Sequence, residues 1–190
     1  MDSQCFLGAD LSLTGTGLCL LNTDYTVNTT KLISFKASEV TRLFLNKNEV
    51  NLFLDDNPNI QYCCIEGPSF GSKDGGRLFQ IGEWTGIFKL CLYERGIPFF
   101  IAVPSQVKKY ISGTGKDVKK ELILLDVYKK YNVEFRDNNI ADAYVLSRIC
   151  RDYYFLKQHS VIADSLYKYQ LEVLLALQKT YSALENNPLV

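Results

Sequence analysis

Phe6-Leu-Gly-Ala-Asp10-Leu-Ser-Leu-Thr-Gly-Thr-Gly17-Leu decides how the chain is to be read. An apolar run holds one acid at Asp10. Small turn-forming residues follow from Ser12 to Gly15, and a second apolar run continues to Leu21. This pattern predicts a strand over Gln4–Leu11, a tight turn, and a returning strand over Gly15–Leu21. A second turn at Asn22–Asp24 leads to a third strand, predicted over Lys31–Phe35. The chain therefore opens as an antiparallel meander.

Alternation between strand and helix follows. Ser38 is placed as the N-cap of a helix with Val40, Leu43, Phe44, Val50, Phe53 and Leu54 as its apolar positions, breaking near Asn46–Asn48 and ending by Asn57-Pro58. Ile60–Ile65 reads as a buried central strand. Leu78, Ile81, Trp84, Ile87, Phe88 and Cys91 recur at helical spacing within Arg77–Tyr93, which Gly96 stops. Ile97–Val103 is a further short apolar run. Helices are predicted over Pro104–Ser112, Asp117–Tyr131, Asn138–Leu156 and, with one apolar stripe, Ala163–Leu184. The order implies an α/β protein with a mixed five-stranded sheet and helices on both faces, plus a C-terminal amphipathic helix. It fits a ribonuclease-H-like fold, and equally the actin and sugar-kinase nucleotide-binding fold, so topology alone does not choose a chemistry.

Composition narrows the classes. The 190 residues carry 21 Lys plus Arg against 21 Asp plus Glu, 47% of positions are hydrophobic, and mean hydropathy is -0.05, which describes one globular domain, placed over residues 1–160, with a helical extension over 161–190 packed on the same domain or at a dimer interface. Zero net charge means that any nucleic-acid surface is local. The lone His159 cannot supply a histidine zinc site and makes a Ser-His-Asp triad improbable. The six cysteines show no C-x-x-C spacing and sit in apolar runs such as Gln61–Ile65, so they read as reduced core thiols of a cytoplasmic protein. No apolar run approaches the roughly 18 residues of a membrane span, and no basic leader precedes the first strand.

Three acids stand in apolar settings where an unpartnered charge is costly. Asp10 lies in the first strand, Glu66 ends Tyr62-Cys-Cys-Ile-Glu66, and Asp142 is flanked by alanines in Ile140-Ala-Asp-Ala-Tyr144 near a helix start. Carboxylates on separate elements suit hard divalent cations, Mg2+ with Mn2+ as its substitute, and two such ions roughly 4 Å apart support phosphodiester hydrolysis. The alternative for each acid is a turn bond or a helix cap.

Taken in order, Gly8-Ala-Asp-Leu-Ser-Leu-Thr-Gly-Thr-Gly-Leu18, Cys64-Ile-Glu-Gly67, Pro104-Ser-Gln-Val-Lys-Lys-Tyr-Ile-Ser-Gly-Thr-Gly-Lys116 and Asn139-Ile-Ala-Asp-Ala-Tyr144 resemble the motifs of RuvC-type Holliday junction resolvases, especially the bacteriophage branch. The resemblance runs from about residue 5 to about residue 150. It implies a ribonuclease-H-like, metal-dependent endonuclease, a homodimer acting on four-way and other branched DNA, with Asp10, Glu66 and Asp142 as metal ligands and Lys108 and Lys119 near the scissile phosphate. Three positions before the last aspartate, where many members carry an acid or a histidine, this chain has Asn139. The fourth ligand is therefore Asn139 or Asp137, with Asp137 favoured for its charge and a helix N-cap as its alternative role.

Pro104–Tyr131 holds seven lysines against three acids, which marks the expected DNA side. Lys109, Lys116 and Lys120 are placed there with Lys108 and Lys119. In the loop after Glu66, Phe70 resembles the resolvase phenylalanine that inserts at the junction, one residue out of register, and Lys73 and Arg77 are candidate phosphate contacts. The rival functions are a same-fold nuclease acting on RNA or non-junction DNA, a catalytically silent DNA-binding module, and an actin-like or sugar-kinase-like ATPase, for which 190 residues are too few.

Overall fold

β1 (Cys5–Asp10) is buried along its whole length because it lies mid-sheet with helices on both faces. The computed structural model describes residues 4–68, 75–115, 120–158 and 165–185, with 120–122 and 182–185 by backbone alone. β2 (Thr16–Asn22) and β3 (Val27–Ile33) complete the meander, and β4 (Ile60–Glu66) and β5 (Phe99–Ala102) extend the other side in the order β3-β2-β1-β4-β5. β1 pairs antiparallel with β2 and parallel with β4, and β4 pairs parallel with β5, so the sheet is mixed as predicted.

The helices are α1 (Glu39–Asp55), α2 (Gly75–Tyr93), α3 (Pro104–Ser112), α4 (Lys120–Tyr131), α5 (Asn138–Gln158) and α6 (Lys168–Glu185). Strand alternation divides the core in two. Cys5, Leu7 and Ala9 of β1 pack with Val50 and Phe53 of α1 and Trp84 and Phe88 of α2. Phe6 of β1 and Cys64 of β4 face the other way, toward Val107 and Tyr110 of α3, Tyr144 and Ile149 of α5, and Val173 and Leu174 of α6. Each Val, Leu, Ile or Phe among them contributes about 1.5–3 kcal/mol by its burial. All six cysteines are buried free thiols, and burial pushes the Cys19 thiol up to about 12, partly offset by Ser147.

Several boundaries differ from expectation. β3 begins at Val27 rather than Lys31, because the Asn22–Thr26 turn closes on itself: the Thr26 amide and hydroxyl both donate to Asp24 Oδ1, and Asn22 N–H donates to Thr26 O. Pairing thus starts immediately after the turn, in residues too polar to signal a strand. α1 is unbroken, since Asn46 is buried on the face that carries Val50 and Phe53. Ser38 sits at its N-cap but bonds Thr41 Oγ1 instead of a backbone amide. β5 is shorter than predicted, α2 starts at Gly75 and α5 runs to Gln158. Ser165, Leu166 and Tyr167 precede α6 instead of belonging to it.

α5 lies closer to the sheet than side chains ordinarily permit. A Cβ on Gly8 would stand 2.0 Å from the Ala143 carbonyl oxygen, and one on Gly17 would stand 2.2 Å from that of Asn139. Glycine at both positions lets backbone meet backbone. The helix start is set by Asp137, whose Oδ1 accepts from the amides of Asn139 (2.8 Å) and Ile140 (3.2 Å), the geometry of an N-cap.

Two stability measurements test these contacts. Gly8→Ala forces α5 off β1 and is expected to cost about 3 kcal/mol or more in urea unfolding, while a loss under about 1 kcal/mol contradicts the contact. Asp137→Ala is expected to cost about 1 kcal/mol, with Asp137→Asn within a few tenths of the original because an amide oxygen caps as well. Equal losses from both variants would sink the cap.

Candidate active site

Parity brings the three carboxylates together. Phe6, Gly8 and Asp10 point to the α5 side of β1, and Tyr62, Cys64 and Glu66 point the same way from β4. The parallel register pairs Ala9 with Ile65, so Asp10 and Glu66 end adjacent strands side by side at their carboxyl ends, where open α/β sheets build sites. Asp142 comes from the second turn of α5, one residue before the Ala143 carbonyl that abuts Gly8. Asp10 and Asp142 are buried and Glu66 is half-buried.

All three line one cleft of about 380 Å³, together with Arg77, Lys108 and Asn139. Lys108 enters from α3, which starts at Pro104 directly after β5. Arg77 enters from the first turns of α2. Among the described residues, no three of the His, Cys, Asp and Glu side chains stand close enough together to hold one ion as they are oriented. The donor chemistry nevertheless fits a hard cation: three carboxylates and a carboxamide, all oxygen donors, on three elements that surround one concavity.

Of the two candidates for the fourth position, one lines the cleft. Asp137 spends its carboxylate on the α5 amides and does not line the cleft, whereas Asn139 does. The Asn139 amide nitrogen lies 3.1 Å from where Gly15 would carry a Cβ, so the β1–β2 turn touches it directly. Asp137 thus takes the helix-capping role that was its alternative reading.

The other expected residues separate. Lys109, adjacent to Lys108, turns away from the cleft and pairs with Glu172 of α6 at 2.7 Å, both partly exposed. Phe70, Lys73, Lys116 and Lys119 lie outside the described residues, as does the Lys120 side chain. Sequence reading missed Ser12 and Thr14, which line the cleft, and the brace beneath them. Trp84 Nε1 donates to Thr16 Oγ1 (2.9 Å), Thr16 Oγ1 donates to Ser12 O (3.2 Å), and the Gly15 amide donates to Ser12 Oγ (3.0 Å). A buried indole thus holds the turn at the lip of the site. Its sequence signal was a Ser and two Thr directly after the strand acid.

No family profile matches the chain. It is 30% identical over 82 residues to the crossover junction endodeoxyribonuclease RuvC of Agrobacterium fabrum, covering 43% of this chain and 48% of that protein. It is 29% identical over 86 residues to RuvC of Ruegeria pomeroyi, covering 45% and 52%. The chain thus aligns with about half the length of these curated relatives. Among solved structures it resembles Thermus thermophilus RuvC (TM-score 0.65, 17% identity, 82% of this chain and 96% of that one) and the same protein in complex with Holliday junction substrate (TM-score 0.67, 16% identity, 83% and 97%). The yeast mitochondrial Holliday junction resolvase is similar over 86% of this chain and 84% of its own, with a TM-score of 0.57 and 13% identity. The architecture is thus the ribonuclease-H-like mixed sheet of the RuvC-type resolvases, and the chain is RuvC-like in sequence over the stretch that aligns.

Proposed function

We propose that this chain is a divalent-metal-dependent endonuclease that resolves four-way DNA junctions. The observation that carries the reading is that Asp10, Glu66 and Asp142, from three separate elements, line one cleft with Lys108. The likeness to crossover junction endodeoxyribonucleases supports the substrate class.

Asp10, Glu66, Asp142 and the Asn139 carboxamide would hold the metal, which we take as two Mg2+ ions with Mn2+ as a substitute. Bound ions would supply a water activated for attack and Lewis-acid stabilisation of the phosphate. Side-chain rotation at the ends of β1 and β4 would be needed to bring the acids to bear on an ion. Burial of Asp10 and Asp142 keeps bulk water from competing for their oxygens and strengthens their hold on a cation. Lys108 places an ammonium where charge develops on the phosphate oxygens, and Arg77 offers a planar fork to a neighbouring phosphate. Lys73, Lys116, Lys119, Lys120 and Phe70 complete the proposed DNA contacts, whereas Lys109 is engaged with Glu172.

Cutting two strands symmetrically takes two such clefts, and a second copy supplies the other. The outer face of α2 suits it. Phe79, Leu90 and Tyr93 are exposed on that face, and Gly82 and Gly86 between them leave open space.

The test is cleavage of a synthetic four-way junction beside linear duplex, fork and RNA hairpin, with Mg2+, Mn2+ or EDTA. Paired nicks on the junction that EDTA abolishes are expected. Equal cutting of every substrate sinks the junction claim, preferential cutting of the hairpin moves the substrate to RNA, and metal-independent or absent cutting sinks the nuclease. Asp10→Asn and Glu66→Gln should each lower the rate on the order of 10³-fold while junction binding persists. Asn139→Asp adds a fourth carboxylate and should lower the Mg2+ concentration for half-maximal cutting; an unchanged requirement removes Asn139 from the ligand set.

A further inference from the structure

The amino-terminal turns of α6 make polar contacts around the segment that carries Lys108. α3 ends at Gly113, whose φ of 83° puts it in the left-handed region and closes the helix. The chain then doubles back, so that a Cβ on Gly115 would lie 3.0 Å from the Ser105 carbonyl oxygen in the first turn of α3. Ser112 Oγ lies 2.7 Å from Lys108 O and 3.0 Å from Thr114 O, tying the turn to the backbone of Lys108 itself.

Tyr169, on the first turn of α6, lays its ring 3.5 Å from the Cβ position of Gly113. Its hydroxyl accepts from Lys130 Nζ at 2.5 Å, and the same ammonium donates to the Ile111 carbonyl in the last turn of α3. Tyr167 stacks on Tyr169 at 5.3 Å with the rings 5° from parallel, and Lys130 Nζ stands 4.7 Å from the Tyr169 ring centre and 5.5 Å from that of Tyr167. One ammonium thus joins α4, α3 and α6, placed so that it satisfies a helix-end carbonyl and a tyrosine hydroxyl beside the stacked rings. Two further ties hold α6 in register: Lys109 with Glu172, and buried Gln170, which donates to Tyr131 Oη at 3.0 Å and accepts from the Tyr167 amide at 3.2 Å.

We infer that Lys130 and Tyr169 are positioning residues: through them α6 fixes the carboxyl end of α3 and the Gly113 turn, and so the placement of Lys108 in the cleft. The inference rests on the nuclease reading only for its kinetic consequence. Neither residue lines the cleft, and both act on it through α3.

The test compares Lys130→Met, Lys130→Arg and Tyr169→Phe with the unaltered chain in single-turnover cleavage of a four-way junction, in junction affinity, and in amide hydrogen exchange. Lys130→Met should slow cleavage about tenfold or more with junction Kd unchanged within about twofold, because misplacing a group near the reacting phosphate costs rate before binding. Lys130→Arg should restore the rate to within about threefold, since it keeps the donor and the charge. Tyr169→Phe should fall between them, retaining the ring on Gly113 but not the hydroxyl. Exchange at Ser112–Gly115 should quicken in Lys130→Met and stay unchanged in α1 and α2. An unchanged rate in Lys130→Met, or a loss of rate that tracks a general fall in Tm and that arginine does not restore, overturns the inference. If the unaltered chain cuts nothing, the nuclease reading fails, and exchange alone decides: acceleration confined to Ser112–Gly115 supports the positioning role, and its absence overturns it.

Discussion

Backbone-to-backbone contact between α5 and the two central strands is the constraint on which the rest of the structure depends. Gly8 and Gly17 remove the side chains that would hold the helix at ordinary distance, and the Ala143 and Asn139 carbonyls occupy the space. Close docking has two consequences. It seats the first two turns of α5 against the carboxyl end of β1, which brings Asp142 and Asn139 into the cleft beside Asp10 and Glu66. It also buries α5 over most of its length, from Ile140 to Tyr153 with few breaks, so that the helix serves as the axis of one core. An element held this tightly suits a metal ligand, whose reach must be correct to a fraction of an ångström.

At the far end of α5 the same burial creates a polar problem that the chain resolves with aromatic hydroxyls. Asp152 is fully buried and accepts from Tyr25 Oη (2.7 Å), Tyr110 Oη and Arg151 (2.8 Å). Burial next to this carboxylate pushes both tyrosine hydroxyls well above their ordinary range, so they remain donors at any physiological pH. The network ties α3 and the β2–β3 turn to α5. At the sheet edge, Tyr181 of α6 donates to Ile101 O and accepts from Ile101 N–H, covering backbone groups that an edge strand would otherwise present to another chain. α3, which carries Lys108, is thereby held from α5 on one side and from α6 on the other.

How much of this could be read in the sequence follows from the kind of signal involved. Asp10 and Glu66 were legible because an acid inside an apolar strand is costly, and β1, β4 and β5 declared themselves by short apolar runs. β3 did so only toward its end, since its first residues, Asn, Thr and Lys among them, carry no apolar alternation and take their start from the preceding turn. The continuity of α1 was hidden because Asn46 is buried where a polar residue suggests a break. Charge favoured Asp137 over Asn139, but charge carries no information on helix phase: α5 begins at Asn138, which makes Asp137 the cap and puts Asn139 in the lining of the cleft. The amphipathic stripe of α6 was visible, while the meeting of Tyr169, Lys130 and Gly113 joins three distant segments and has no local signature.

The account stands or falls on whether the carboxylates at the ends of β1 and β4 and on α5 act as one cation site. Anomalous scattering from crystals grown with Mn2+ addresses this most directly. Density among Asp10, Glu66 and Asp142, with the Asn139 amide oxygen in its shell and lost in Asp10→Asn, is the predicted result. Mn2+ bound elsewhere, or an occupied site that survives the loss of Asp10, would contradict it.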